Sequence, residues 1–171
     1  MSKPAAPAPA AHAYVEERRS RILGAIGRDP RTAGSGAEPL SAERLSFCRR
    51  EAEDLYWNEL SWEELTDEEA ISGGHMTEMV FPGFLAFVEG LLVDKVPADA
   101  LSPARPHPDA VQEILAFLGE RYAEARQELR SGADSQKVVY ARVMTSQLID
   151  LVLYRFYGLS GAEVEMLEAK A

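Results

Sequence analysis

The sequence predicts an all-α fold, an irregular bundle of five or six helices behind a disordered Pro/Ala-rich N-terminal tail. Three observations carry that expectation. Apolar residues recur at helical spacing through two long segments, 109–130 and 137–157. Serine, proline and glycine stand where such helices start and stop. No stretch alternates apolar and polar residues between turns, as a half-buried strand would. With 171 residues and 46% hydrophobic content, the chain can bury one real core.

Residues 1–11 are rich in Pro and Ala and read as a tail. Residues 12–27 follow as a short amphipathic helix, with Val15, Ile22 and Ile26 on one face and Arg18 and Arg19 beside it. Arg21, Arg28 and Arg31 continue the basic side. These arginines either touch phosphate or an acidic partner, or dock on the acidic body of the same chain, which its charge favours. The Gly, Pro and Ser content of 28–40 marks a linker, which would let this helix be an arm rather than part of the core.

The helical domain then runs over 41–171. Ser41 is placed as an N-cap, with Leu40 and Leu45 spaced as a hydrophobic staple, and the helix it opens extends to about Glu59. Its apolar side passes through Leu45, Cys48, Ala52, Leu55 and Tyr56, with Trp57 near the seam. Ser61 with Glu64 and Leu60 with Leu65 repeat the cap and staple, and Thr66 with Glu69 is a competing start. From Val80 to Leu92 the chain is apolar nearly all round, which predicts a helix surrounded by others, and Pro82 suggests a start near Phe81 rather than His75. Phe81, Phe84, Phe87 and Val88 read as core. Glu89 is the exception in this run: if buried it needs a cation, and Arg142 or Arg155 is the candidate partner in a buried ion pair.

A proline-rich crossing, 97–108, leads to Pro108 at a first helical position and Asp109 at the positive end of the helix dipole. Val111, Ile114, Leu115, Leu118, Tyr122, Ala125 and Leu129 then mark one helix face up to Ser131-Gly132. The short return into the helix of 137–157 predicts a helical hairpin. There Val138, Ala141, Met144, Leu148, Leu151, Val152 and Phe156 form the apolar face, opposite a polar stripe of Arg142, Ser146 and Asp150. Gly158 is placed to end this helix in a left-handed conformation; Ser160 and Glu163 form a capping box for the next, with Leu159 stapled to Val164.

Charge excludes more than length does. The net charge is −10, and it is uneven: residues 37–171 carry twelve Lys/Arg against twenty-five Asp/Glu. Such a body repels phosphate, so direct nucleic-acid binding is disfavoured. Between Glu51 and Glu69 there are nine acids and no Lys or Arg. A run of this kind is usually a solvated face; otherwise it docks a basic partner, or mimics DNA in a nucleic-acid channel. Trp57 and Trp62 lie inside it beside Glu63 and Glu64, and each tryptophan is either an interface anchor or a core residue. The lone cysteine, Cys48, fits a reducing cytoplasm and reads as a small buried hydrophobe. The most apolar run, 79–93, is interrupted and too short to span a bilayer, so no membrane association is expected.

Catalytic patterns are not found. Neither paired Glu-x-x-His elements nor a nucleophile elbow nor a phosphate loop is present, and His75 with Glu78 is a single pair. The sequence therefore predicts no enzyme, no metal and no cofactor.

Residues 147–168, QLIDLVLYRFYGLSGAEVEMLE, match a longer pattern through Ile149, Asp150, Val152, Leu153, Tyr154, Phe156, Tyr157, Gly158, Leu159, Ser160, Glu163, Val164 and Glu168. The segment resembles one near the C-terminus of adenine-specific DNA methyltransferases and fused type II restriction-modification polypeptides. In that family leucine is usual at the position of Phe156, an apolar exchange, and an acid at that of Ala162. The chain has neither the Asn/Asp-Pro-Pro-aromatic motif nor the glycine-rich methyl-donor loop of those enzymes. The resemblance thus implies a shared helical accessory piece without the chemistry, bound to a larger subunit such as a methyltransferase, helicase or nuclease of a modification, restriction or phage-defence system. Tyr154 and Tyr157 join the tryptophans as candidate interaction residues. The alternative expectation is a DNA-binding regulator, since Gly158-Leu159-Ser160 echoes the turn of helix-turn-helix proteins; against it, the second helix carries Glu163, Glu165 and Glu168.

Overall fold

The computed structural model describes residues 9–26, 41–60, 74–92, 108–132 and 136–169. These form seven helices and no strand: α1 (Pro9–Ile26), α2 (Ala42–Glu59), α3 (Gly74–Val80), α4 (Pro82–Leu92), α5 (Pro108–Arg130), α6 (Gln136–Phe156) and α7 (Gly161–Ala169). The expected linker at 28–40, the caps at Ser61 and Thr66 and most of the proline-rich crossing lie outside the described residues.

The α5–α6 hairpin is the centre of the bundle, and α1, α2 and α4 pack against α5. Periodicity explains this arrangement. Val111, Ile114, Leu115 and Leu118 from α5 meet Met144, Leu148 and Val152 from α6 in a core where each is at most 1% exposed. Side chains of this size contribute roughly 1.5–3 kcal/mol each when fully buried. Cys48, Ala52 and Tyr56 bring α2 into the same cluster, while Leu45 and Leu55 are half-buried at its edge. An aromatic group joins the layers: the Tyr56 ring stacks on Phe81 at 5.8 Å and meets Phe117 edge-on at 5.4 Å. The Tyr56 hydroxyl, buried with them, is satisfied by Thr145 at 2.8 Å.

Two expectations about helix ends are resolved by backbone chemistry. The segment from 74 to 92 is two helices meeting at Phe81, because Pro82 has no N–H to continue the first and its fixed φ suits the first turn of the second. Phe81 serves both, donating its N–H to the Thr77 carbonyl at 3.0 Å and accepting from Leu85 at 3.1 Å. At the end of α6, Gly158 adopts φ 64°. Its N–H reaches the Arg155 carbonyl at 3.1 Å, and that of Leu159 reaches Tyr154 at 3.0 Å, the paired bonds of a Schellman motif. Ser160 and Glu163 then exchange side-chain-to-backbone bonds of 3.0 and 3.2 Å, completing the capping box that opens α7. Gly158→Ala forces a β-carbon into the left-handed region and is expected to cost about 1 kcal/mol in urea unfolding; an unchanged midpoint would show that the turn adapts.

The N-terminal helix departs from expectation. It begins at Pro9, three residues before the predicted start at 12. It is also not an arm: Val15 and Ile22 are in the core, and Tyr14 stacks on Tyr122 of α5 with ring centroids 4.1 Å apart. The polar stripe of α6 is what receives it. Arg18 donates to both carboxylate oxygens of Asp150, at 2.8 and 2.7 Å, so the Asp150 end of the stripe faces α1 instead of solvent. Arg19 donates to the Tyr157 hydroxyl at 2.9 Å and to Gln112 at 2.7 Å, and Arg21 donates to the Leu167 carbonyl at 3.0 Å. Three successive basic positions thereby tie α1 to α5, α6 and α7.

Candidate functional site

Among the tryptophans named from sequence, Trp57 is described, and it is outside the core: it is 50% exposed, on the last turn of α2. Helical geometry turns it away from Tyr56, the residue that does enter the core, and the two rings meet edge-on at 4.9 Å. The Arg121 guanidinium lies over the indole at 5.5 Å from its centroid and also pairs with Glu124. Trp57, Arg121, Glu124 and Glu128 rim a hollow of about 260 Å³ whose inner wall includes Tyr56, Ala125, Val138 and Ala141. This is an amphipathic ring beside an apolar floor, with carboxylates at the edge. Trp62, Glu63 and Glu64 lie outside the described residues, as does the side chain of His75.

The acidic stretch that begins at Glu51 is in part structural. Glu53 pairs with Arg49 at 2.9 Å, and Arg49 also reaches Glu120 of α5 at 2.6 Å. Glu59 accepts hydrogen bonds from the backbone N–H groups of Gly83 and Phe84 at 2.6 and 2.9 Å, capping α4 from a neighbouring helix. Glu51 and Asp54 remain exposed on the same helix as Trp57.

Tyr154 and Tyr157, expected at an interaction surface, are inside the fold instead. Tyr157 is 1% exposed and its hydroxyl accepts from Arg19; Tyr154 is 8% exposed with its hydroxyl 3.4 Å from Glu168. Burial raises the Tyr154 pKa, and the negative charges of Asp150 and Glu168 raise it further. The docking of α1 and α7 over α6 is the physical reason: the helix presents a buried seam on more faces than its periodicity marks.

Glu89 is met by Arg155 rather than Arg142, but not in a buried setting. The Arg155 Nη2 lies 3.1 Å from Glu78, and its Nε lies 3.1 Å from Glu89 without the alignment a hydrogen bond needs. Both glutamates are about half-exposed, 46% and 47%. One guanidinium thus serves two carboxylates at the edge of a second hollow, of about 460 Å³, formed by α3, α4, α6, the Gly158 turn and α7.

Cys48 is fully buried, and burial, reinforced by the charges of Asp109 and Glu51, pushes its thiol pKa up to about 11. At neutral pH it is a thiol, not a nucleophilic thiolate. The outward side of α7 carries exposed Glu165 and Glu168, a surface that repels a phosphate backbone. No helix among the described residues is long and apolar enough to cross a membrane. No protein-family model, no curated protein and no solved structure matches the chain.

Proposed function

We propose that this chain is a noncatalytic accessory subunit or adaptor that binds a larger protein of a DNA modification, restriction or related phage-defence system in the cytoplasm. The observation that carries the binding part is Trp57. A half-exposed indole, stacked by Arg121 over an apolar hollow and bordered by carboxylates, has the composition of an interface anchor: large rigid contact area with charges to orient the approach. The resemblance of 147–168 supports the choice of partner, a methyltransferase, helicase or nuclease.

Affinity capture of the tagged full chain from its native cells, with mass spectrometry of what co-elutes, tests the reading. Recovery of one of those three classes is expected; recovery of none of them rejects it. Trp57→Ala is expected to reduce recovery at least tenfold, as loss of a hot spot of roughly 2 kcal/mol would. The same substitution should change unfolding stability by no more than about 1 kcal/mol, since the side chain is half in water already. A variant that recovers the partner undiminished would place the contact elsewhere.

A further inference from the structure

The second hollow shares only α6 with the first and is completed by α3, α4, the Gly158 turn and α7. Its apolar wall is Leu151, Tyr154, Leu159 and Val164, all within the segment 147–168, and its acidic lip is Glu78 and Glu89 across from them. Arg155 pairs with both carboxylates but brings one positive charge against their two. The lip therefore keeps one negative charge in excess, on two side chains that are about half-exposed to an incoming cation. Beyond the lip the surroundings are negative as well: Glu163, Glu165 and Glu168 lie along α7, and no Lys or Arg stands among its residues 161–169.

We propose that this groove is the docking site for a short segment of a partner protein carrying apolar residues flanked by Lys or Arg. The apolar side chains fill the wall between the Gly158 turn and α7, and the flanking cation takes the place beside Glu78 and Glu89 that Arg155 fills only in part. Charge complementarity selects this occupant over the others. An acidic segment meets the lip and α7 with like charge, and a second copy of this chain brings a body of the same sign, twelve Lys/Arg against twenty-five Asp/Glu over 37–171. The inference rests on the adaptor reading only in taking a protein as partner; it uses a different surface from Trp57.

The test uses the full chain labelled with 15N and two synthetic helical peptides that share leucines at i, i+3 and i+7. One carries lysine at the flanking positions and the other glutamate. The lysine peptide is expected to bind with a dissociation constant below about 100 μM, more weakly as salt is raised, shifting the amides of residues 151–164. The glutamate peptide should bind at least about tenfold more weakly. Glu78→Gln with Glu89→Gln should reduce lysine-peptide affinity about fivefold or more and flatten its salt dependence, while the variant's thermal unfolding shows that the fold persists. Trp57→Ala should leave peptide binding unchanged. The proposal is overturned by absence of binding up to about 1 mM, by equal affinity for the two peptides, or by shifts confined to the Trp57 face. Self-association of the chain that shifts residues 151–164 would also overturn it, by assigning the groove to a second copy. If native capture recovers no larger subunit while the lysine peptide still docks here, the adaptor reading fails and the groove stands; the converse result separates them the other way.

Discussion

Arg18→Ala is expected to destabilise the protein by about 3 kcal/mol near neutral pH, more than removal of a surface arginine would. The reason lies in what it leaves behind. Asp150 has only 17% of its side chain exposed and accepts two hydrogen bonds from the Arg18 guanidinium, so its carboxylate would remain buried without its main counter-charge. The arginine is not the only thread holding α1, since Arg19, Arg21 and the Tyr14–Tyr122 stack remain, and loss of the pair should not by itself release the helix. Replacing both members together, Arg18→Met with Asp150→Leu, is expected to recover most of the loss, because an apolar pair of similar volume leaves no stranded charge. Urea unfolding of the two singles and the double closes the cycle.

The pH dependence of that deficit has a definite sign. Asp150 has its pKa raised above the ordinary 3.8, chiefly by burial, with Arg18 and then Arg21 pulling it back down. A carboxyl whose folded-state pKa lies above its unfolded one gives its largest stabilising contribution below the unfolded value, and that contribution is lost as pH rises through the folded value. Removing Arg18 removes the hydrogen bond and the charge that hold the pKa down, so the folded value rises further and the loss with pH becomes larger. The gap between wild type and Arg18→Ala should accordingly narrow between about pH 7 and about pH 4.5. A gap that stays constant over that interval would mean that Asp150 is not the group left exposed to the penalty. Tyr14 and Tyr154 face the same carboxylate; burial first and then its charge raise both, Tyr14 to about 12, so neither titrates in this window.

The same pair shows where sequence periodicity stops being informative. Asp150 sits on a clean polar stripe with Arg142 and Ser146, and a stripe of that kind ordinarily faces water. Its partner is 132 residues away in the chain, and no local pattern encodes such a contact. Tyr154 and Tyr157, expected at an interaction surface, are likewise buried by contacts from residues distant in the chain. By contrast, the features that were legible are those whose physics is complete within a few residues. The Gly158 turn, the Ser160–Glu163 box, the Pro108 start and the core face of α5 are of this kind. Trp57 lies between the two cases: its seam position allowed either side, and the choice fell to how α2 turns Tyr56 toward Phe81 and Phe117.

Glu59→Ala is expected to cost about 2 kcal/mol, through the start of a helix on which Glu59 does not itself lie. α4 is preceded by Phe81, which has no side-chain acceptor, and its first turn contains no acid. The N–H groups of Gly83 and Phe84 therefore depend on the Glu59 carboxylate, whose negative charge also suits the positive end of the α4 dipole. On its own helix the same charge sits at the unfavourable C-terminal end, so the long-range use is the better one. Glu59→Gln keeps an acceptor and should lose about half as much. Gly83 is the complementary test. Alanine usually stabilises a helix by up to about 1 kcal/mol over glycine, but a β-carbon here would come within 2.6 Å of Glu59 Oε2 and 3.3 Å of Leu55 Cδ2. Gly83→Ala should thus destabilise the wild type by displacing the capping carboxylate. In the Glu59→Ala background, where that carboxylate is gone and only the flexible end of Leu55 is crowded, Gly83→Ala should become neutral or favourable. That change of sign between backgrounds, read from thermal unfolding of the four proteins, is what a steric and electrostatic cap predicts; additive effects would show that Glu59 and Gly83 act independently.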